Sequence, residues 1–161
     1  AWEFYLPKNG WQFQSNSARE TYRYTASAWE IFYQEGTWTP VVAGFSTPGS
    51  HTYTAQEGAY RKHGASCYVV CRVIVNVKDA AMAGNAIVTG LPFTSSGSYR
   101  TTLSVWGYSL NAVTNNLSGW VSNSATAVDF YKNPPSAGAS PVVAADIQNG
   151  TALTFSGCNP L

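Results

Sequence analysis

At 161 residues the chain is long enough for one domain, or one domain plus a small appendage. Only 11% of it is charged, against roughly 25% in ordinary soluble domains, while 14% is aromatic and the net charge is +1. That balance argues against nucleic-acid binding, because Arg61-Lys62 is the only basic cluster, and no apolar run reaches membrane-spanning length. An aromatic, polar but uncharged composition fits a β-rich extracellular protein better than a cytosolic enzyme. The opening AWEFYLP lacks the basic start and apolar core of a signal peptide. Its start without Met leads us to expect a processed chain or an excised fragment.

Residues 1–35 carry ten aromatics, too many for so short a segment to bury by itself. They are expected to pack on something else: the following domain, a neighbouring copy or upstream chain. Pro7-Lys8-Asn9-Gly10 reads as a turn, since Asn-Gly accommodates positive φ. RETYRYT and AWEIFY read as two short strands joined at Ala26-Ser27. Gln34-Glu35-Gly36 marks an expected boundary between an aromatic stem element (1–35) and a main domain (36–161). GTWTPVVAGF follows, and Pro40 makes it an edge strand or one broken at its middle. Ser46–Ser50 is a loop. HTYTAQEGAYRKHG places Tyr53 and Tyr60 on either side of an expected turn at Glu57-Gly58.

Ala65–Lys78 is the longest apolar run, and it alternates. Cys67, Val69, Cys71, Val73, Val75 and Val77 share one face, which is expected to lie in the core. The opposite face mixes Tyr68, Val70 and Ile74 with Arg72, Asn76 and Lys78. Such a half-wet face suits either a subunit contact or a covering loop, and Tyr68, Val70, Arg72 and Ile74 are the expected interface residues. Lys78–Ala83 reads as a turn or single helical turn and Asn85–Thr89 as a short strand. Gly90-Leu91-Pro92-Phe93 reads as a tight connection. Tyr99–Tyr108 alternates again, with Thr101, Leu103, Val105 and Gly107 opposite Arg100, Thr102, Ser104, Trp106 and Tyr108. Leu117–Asn123 and Thr126–Tyr131 are further strands. KNPPSAGAS is an extended loop. Val142–Ile147 and Thr151–Ser156 form an expected last hairpin around Asn149-Gly150. No helical periodicity exceeds two turns. Short strands about ten residues apart, punctuated by Gly, Pro, Ser and Asn, indicate an all-β sandwich or barrel.

The three cysteines do not make a disulfide framework. Cys67 and Cys71 lie about 13 Å apart along one strand, beyond the ~7 Å a disulfide spans. Cys158 could pair with either, but nothing requires it, and all three are expected to be reduced. Eight carboxylates are scattered along the chain, and spacing in a β protein cannot show which of them face each other. His51 and His63 have no metal-ligand spacing, so neither a metal nor a cofactor is expected. Neither GxSxG, a P-loop nor GxGxxG occurs, and no catalytic residue is assigned. Sugar binding has more support. Trp106, Tyr108, Trp120, Tyr99 and Tyr131 stand in or beside polar stretches, with Asn111, Asn115 and Asn116 close by in sequence. Aromatic faces stack on sugar rings while amides fix hydroxyls, so Trp106, Tyr108, Trp120, Tyr131 and Asn115 are the candidate ligand residues. The same side chains could equally be core residues or protein–protein anchors.

One stretch resembles a known family. GTWTPVVAGF, then the Tyr-x-x-Gln-x-Gly-x-Tyr pattern of Tyr53, Gln56, Gly58 and Tyr60, then the long strand, then AIVTGLPFTSS, resembles the carboxy-terminal domain of many bacteriophage tail fibre and tailspike proteins. Thr37–Ser96 matches in order and spacing, whereas residues 97–161 match only in general pattern. Residues 7–30 look like the short aromatic β element that precedes such domains. The resemblance implies a jelly-roll-like β-sandwich assembled as a parallel homotrimer at a fibre tip, on the virion tail. It also implies contact with bacterial surface polysaccharide and attachment to the upstream remainder of a fibre or spike. Depolymerase activity, where such proteins have it, normally lies in an upstream β-helix, so this chain is expected to be non-catalytic. A small glycan hydrolase or lyase, and a purely structural trimer cap, are the alternatives. Arg61-Lys62-His63 departs from the Thr-Arg-Ile often found there, and no ligand residue carries over from the family.

Overall fold

The computed structural model describes residues 5–17, 19–111, 116–133 and 138–161. They form one curled, wholly antiparallel sheet of twelve strands with no α-helix among the described residues. In chain order the strands are β1 (Gln12–Ser15), β2 (Glu20–Thr25), β3 (Ala28–Trp38), β4 (Val41–Gly44), β5 (Thr52–His63) and β6 (Ser66–Val77). They continue with β7 (Ala86–Thr89), β8 (Thr101–Tyr108), β9 (Leu117–Val121), β10 (Ala127–Lys132), β11 (Ser140–Pro141) and β12 (Ala152–Pro160). The spatial order is β1-β2-β3-β5-β6-β12-β8-β9-β10-β7-β4, with β11 added to β10.

The alternation of β6 survives as a face division. Cys67, Val69, Cys71, Val73 and Val75 are at most 1% exposed, but Val77 is 51% exposed. The strand runs on past the core there, and the Val77 amide ends against the Thr52 hydroxyl. The same inner face receives Leu103, Val121, Val128, Phe130, Leu153 and Phe155 from β8, β9, β10 and β12, and these make one contiguous core. β8, β9 and β10 appear where the alternation places them.

Thr39-Pro40 breaks the GTWTP run as proline should, and the two halves become β3 and β4, far apart in sheet order. Because only those two residues join them, the end of the sheet that carries β4 is drawn back toward β3 and β5. The Tyr53 hydroxyl on β5 donates to the Val42 carbonyl at 3.3 Å and accepts from the Val42 amide at 3.1 Å. Gln56 Nε2 donates to the Pro40 carbonyl at 2.8 Å. The Tyr-x-x-Gln-x-Gly-x-Tyr pattern is therefore a clasp for the crossing segment.

Two expectations are corrected here. No turn forms at Glu57-Gly58: β5 runs straight through, and its irregularity lies earlier, between Thr52 and Ala55. Gly58 is in the strand because Trp38 lies on it. A Cβ at Gly58 would sit 2.6 Å from the indole and from the Trp38 carbonyl oxygen, while a Cβ at Gly36 would sit 2.8 Å from the Tyr60 ring. With Trp38 paired to Gly58 and Gly36 to Tyr60, each ring fills the space its partner glycine leaves. The expected last hairpin is also absent. β12 is flanked on both edges by β6 and β8, so no edge remains for residues 142–147. Those residues instead make a 3-10 turn, Ala144–Asp146. Asp146 holds that turn by accepting from the Val143 amide at 2.9 Å and from Lys132 Nζ at 2.8 Å.

The aromatic arm packs partly on the body, with Phe32 edge-on to His63 of β5 at 4.3 Å, and partly on itself. Its rings pack on one another across β1, β2 and β3, with Phe13 stacked on Tyr22 at 4.8 Å and edge-on to Trp29 at 5.0 Å. The Ala26-Ser27 turn joins β2 and β3 as anticipated. β3 continues unbroken through Gln34-Glu35-Gly36, pairing first with β2 and then with β5.

Replacing Gly58 by Ala should destabilise the protein by about 1–3 kcal/mol, the usual cost of overpacking a core. The readout is a lowered urea midpoint at unchanged m-value; an unchanged midpoint would show that the Trp38 contact is slack.

Candidate functional site

The outer face of the sheet carries the candidate residues, and strand register shows how they are grouped. Thr154 on β12 lies between Arg72 on β6 and Trp106 on β8; Ala152 likewise lies between Ile74 and Tyr108. Farther along, Thr102 on β8 pairs with Trp120 on β9, and Trp120 with Asp129 on β10. Ser118 pairs with both Ser104 and Tyr131. The expected ligand residues and the expected interface residues therefore share one continuous surface, which the sequence did not reveal.

Trp106 and Tyr108 are 61% and 64% exposed, and their rings are nearly parallel, 6.2 Å apart with 6° between planes. They point outward because Leu103 and the close-packed Gly107 take the alternate, inward positions on β8. Trp120 and Tyr131 form a second pair, 5.2 Å apart and tilted by 39°, with the Arg100 guanidinium 5.9 Å from the indole. Four residues of β8 separate Trp106 from Thr102, the partner of Trp120, so the pairs are about 13 Å apart along the strand. A polar shelf of Ser104 and Ser118 lies between them, with Asn133 donating to the Ser118 hydroxyl at 3.0 Å. Asn115 lies outside the described residues. Tyr99 is exposed in the loop before β8. All four described candidates sit within strands, where the readings of Tyr99–Tyr108, Leu117–Asn123 and Thr126–Tyr131 put them.

On β6, Tyr68 and Val70 are exposed and Ile74 is partly covered, while Arg72 pairs with Glu57 at 3.4 Å. Other carboxylates are engaged as well. Asp129 accepts from the Ser122 hydroxyl, Glu20 from the Tyr22 hydroxyl and Gln34, and Asp79 from the amides of Ser50 and Ala81. The two amides that hold Asp79 keep its carboxyl below the usual range. Among the described residues, no three His, Cys, Asp or Glu side chains are grouped to hold a metal ion.

A second feature of the outer face went unseen in the sequence. Glu35, Arg61 and Tyr68 form a row across three paired strands, extended by Arg19 from the turn before β2, and line a cavity of about 520 Å³ together with Thr37, Ala59 and Val70. Its members come from four separated stretches of chain, and no local motif links them.

No family model and no curated protein matches the chain. Among solved structures, the Dettilon tailspike protein (gp208) is similar in fold, with a TM-score of 0.66 at 13% identity over 80% of this chain. The chain spans only 24% of that protein's length. The fold is therefore tailspike-like.

The cysteines differ sharply in surroundings. Burial pushes the Cys67 thiol up to about 11 and the Cys71 thiol up to about 12, whereas Cys158 is exposed, and all three are free. At pH 8 an aromatic disulfide reagent should titrate Cys158 alone in the folded protein, and all three cysteines after denaturation. Rapid reaction of a second thiol in the folded state would contradict the burial of Cys67 and Cys71.

Proposed function

We propose that this chain is a receptor-binding module of a phage tail fibre or tailspike, located on the virion tail. It works as a homotrimer and holds bacterial surface polysaccharide without cleaving it. The observation that carries this reading is the parallel, exposed Trp106–Tyr108 pair, set on a rigid strand and continued across the same face by Trp120 and Tyr131. Large apolar rings held open to solvent on a sheet mark a recognition surface. Flat rings flanked by Ser and Asn suit pyranose rings, whose apolar faces stack while their hydroxyls take up the polar groups. The tailspike-like fold supports the phage assignment, and the resemblance of Thr37–Ser96 to fibre carboxy-terminal domains agrees with it.

In this reading the curled sheet is the jelly-roll-like sandwich of such domains. Residues 36–161 are the body and residues 1–35 the stem element leading to the rest of a fibre or spike. Tyr68, Val70, Arg72 and Ile74 make the subunit contact, next to the ligand aromatics, so a glycan would lie in the clefts between copies.

Light scattering coupled to size exclusion should give three times the 17.3 kDa chain mass. Ile74→Asp should reduce it to the monomer, because it would bury an unpaired charge; an intact trimer in that variant would remove Ile74 from the contact. The ligand test is binding of lipopolysaccharide and capsule preparations from a panel of bacterial strains. Trp106→Ala should weaken retention about tenfold or more, the loss of one stacked aromatic contact, with mass and polysaccharide length unchanged. Wild-type retention by the variant would overturn the reading, and release of reducing ends would point to the hydrolase or lyase instead.

A further inference from the structure

We infer that the cleft between the arm and the body is a binding site for the carboxylate of an acidic sugar, with Arg19 and Arg61 as its recognition residues. The inference deepens the polysaccharide-binding reading and rests on it for the ligand's being a sugar. The preference for an anion rests on the cleft itself.

The cleft arises from how the strands end. β2 lies beside β3 only as far as the Glu20–Gln34 pair, so beyond that point β3 loses its neighbour. The exposed floor that follows is built from Thr37 and Ala59, paired across β3 and β5, with Val70 paired to Ala59 on β6. These are short side chains. The adjacent row, Glu35, Arg61 and Tyr68, is tall, and Arg19 extends it from the turn before β2. A tall row beside a short one leaves the hollow of about 520 Å³, ample for one or two sugar rings.

Its charge is unbalanced. Two guanidinium groups face one carboxylate: Arg19 Nη1 is 3.5 Å from Glu35 Oε1 and Arg61 Nε is 3.6 Å from Glu35 Oε2. Both distances exceed the ~2.7–2.9 Å of a good charge-assisted hydrogen bond. Glu35 meanwhile accepts a 2.8 Å bond from the Tyr33 hydroxyl, which raises the Tyr33 pKa. The two arginine side chains are 77% and 74% exposed, so their remaining N–H groups are open to the cleft and to solvent. The neighbouring Arg72 and Glu57 pair with each other at 3.4 Å, and the Glu20 carboxylate, whose charge acts on Tyr60 of the lining, is taken up by the Tyr22 hydroxyl and Gln34. A planar guanidinium matches a planar carboxylate with two parallel bonds, which favours a uronic acid group over a neutral hydroxymethyl group. Tyr68, at the end of the row and at the rim of the proposed subunit contact, offers a flat apolar surface to a sugar ring lying in the cleft between copies.

Arg19 has φ of 51°, in the left-handed region where Gly or Asn is the ordinary choice, as do Ala26, Ser109 and Ser124 in other turns.

The same φ makes the test clean, because Arg19→Gly removes the guanidinium while suiting the turn. Isothermal titration would compare α-1,4-linked trisaccharides of galacturonate and of galactose, which differ only in carboxylate against hydroxymethyl. The wild-type protein should prefer the galacturonate trisaccharide. Arg19→Gly and Arg61→Gln should each weaken that binding about tenfold, the usual loss for one hydrogen bond to a charged group, with thermal midpoints unchanged or raised for Arg19→Gly. Binding of the galactose trisaccharide should not change. Equal affinity for the two trisaccharides, or no binding of either by the wild-type protein, would overturn the inference. So would wild-type affinity in both arginine variants. That last result, with polysaccharide retention lost in Trp106→Ala, would overturn the cleft while leaving the polysaccharide reading intact. Loss in the arginine variants with wild-type retention in Trp106→Ala would support the cleft and remove the β8 pair.

Discussion

The structure depends on the contact between Trp38 and Gly58. Trp38 ends β3 on one side of the sheet, and two residues later the chain begins β4 at the far edge. The indole lies over Gly58 with its Nε1 donating to the Ala59 carbonyl at 3.3 Å, and its other side approaches Phe155 at 6.2 Å. The ring thus joins the crossing segment, the β5 strand and the centre of the core at one place. Tyr60 over Gly36 repeats the arrangement one step along. A sheet curled this way buries one face against itself and needs no covering helix.

From that curl the division of labour follows. The inward positions of β6, β8, β9, β10 and β12 are filled mainly by Val, Leu, Phe and Cys, and the core they form is apolar apart from a few hydrogen-bonded polar groups such as Thr151 and Asp146. Asn159 Oδ1 is buried without a partner among the described residues. The outward positions are free of packing duty. They can carry residues that a core would reject, including the Trp106–Tyr108 pair and the Arg19–Glu35–Arg61 row. In the proposed reading, separate contacts about 13 Å apart on such a face would engage successive sugars of one chain.

Much of this was legible from residue order. β6 could be read as a strand because its β-branched residues alternate over a dozen positions, and β8 because Leu103 and Val105 alternate with Trp106 and Tyr108. Pro40 foretold the break between β3 and β4. Gly58 misled, because a glycine beside a glutamate looks like a turn, and its actual reason is an indole twenty residues earlier in the chain. Val142–Ile147 misled similarly. Its apolar residues are buried, but as a 3-10 turn, since β6 and β8 already hold both edges of β12.

The sequence by itself determined the class of structure, the inward and outward faces of β6 and β8, and the aromatics available for an outward surface. These are local properties, written in a two-residue period and in the punctuation of Gly, Pro and Asn. Only the tertiary structure decided which strands are neighbours. Interstrand hydrogen bonds join residues far apart in the chain, so β12 lies between β6 and β8 for reasons no window of sequence contains. That order places Arg72 in line with Trp106, and the end of β2 beside β3 opens the cleft between Arg19 and Arg61. A site assembled across strands is set by register, and register is a property of the folded sheet.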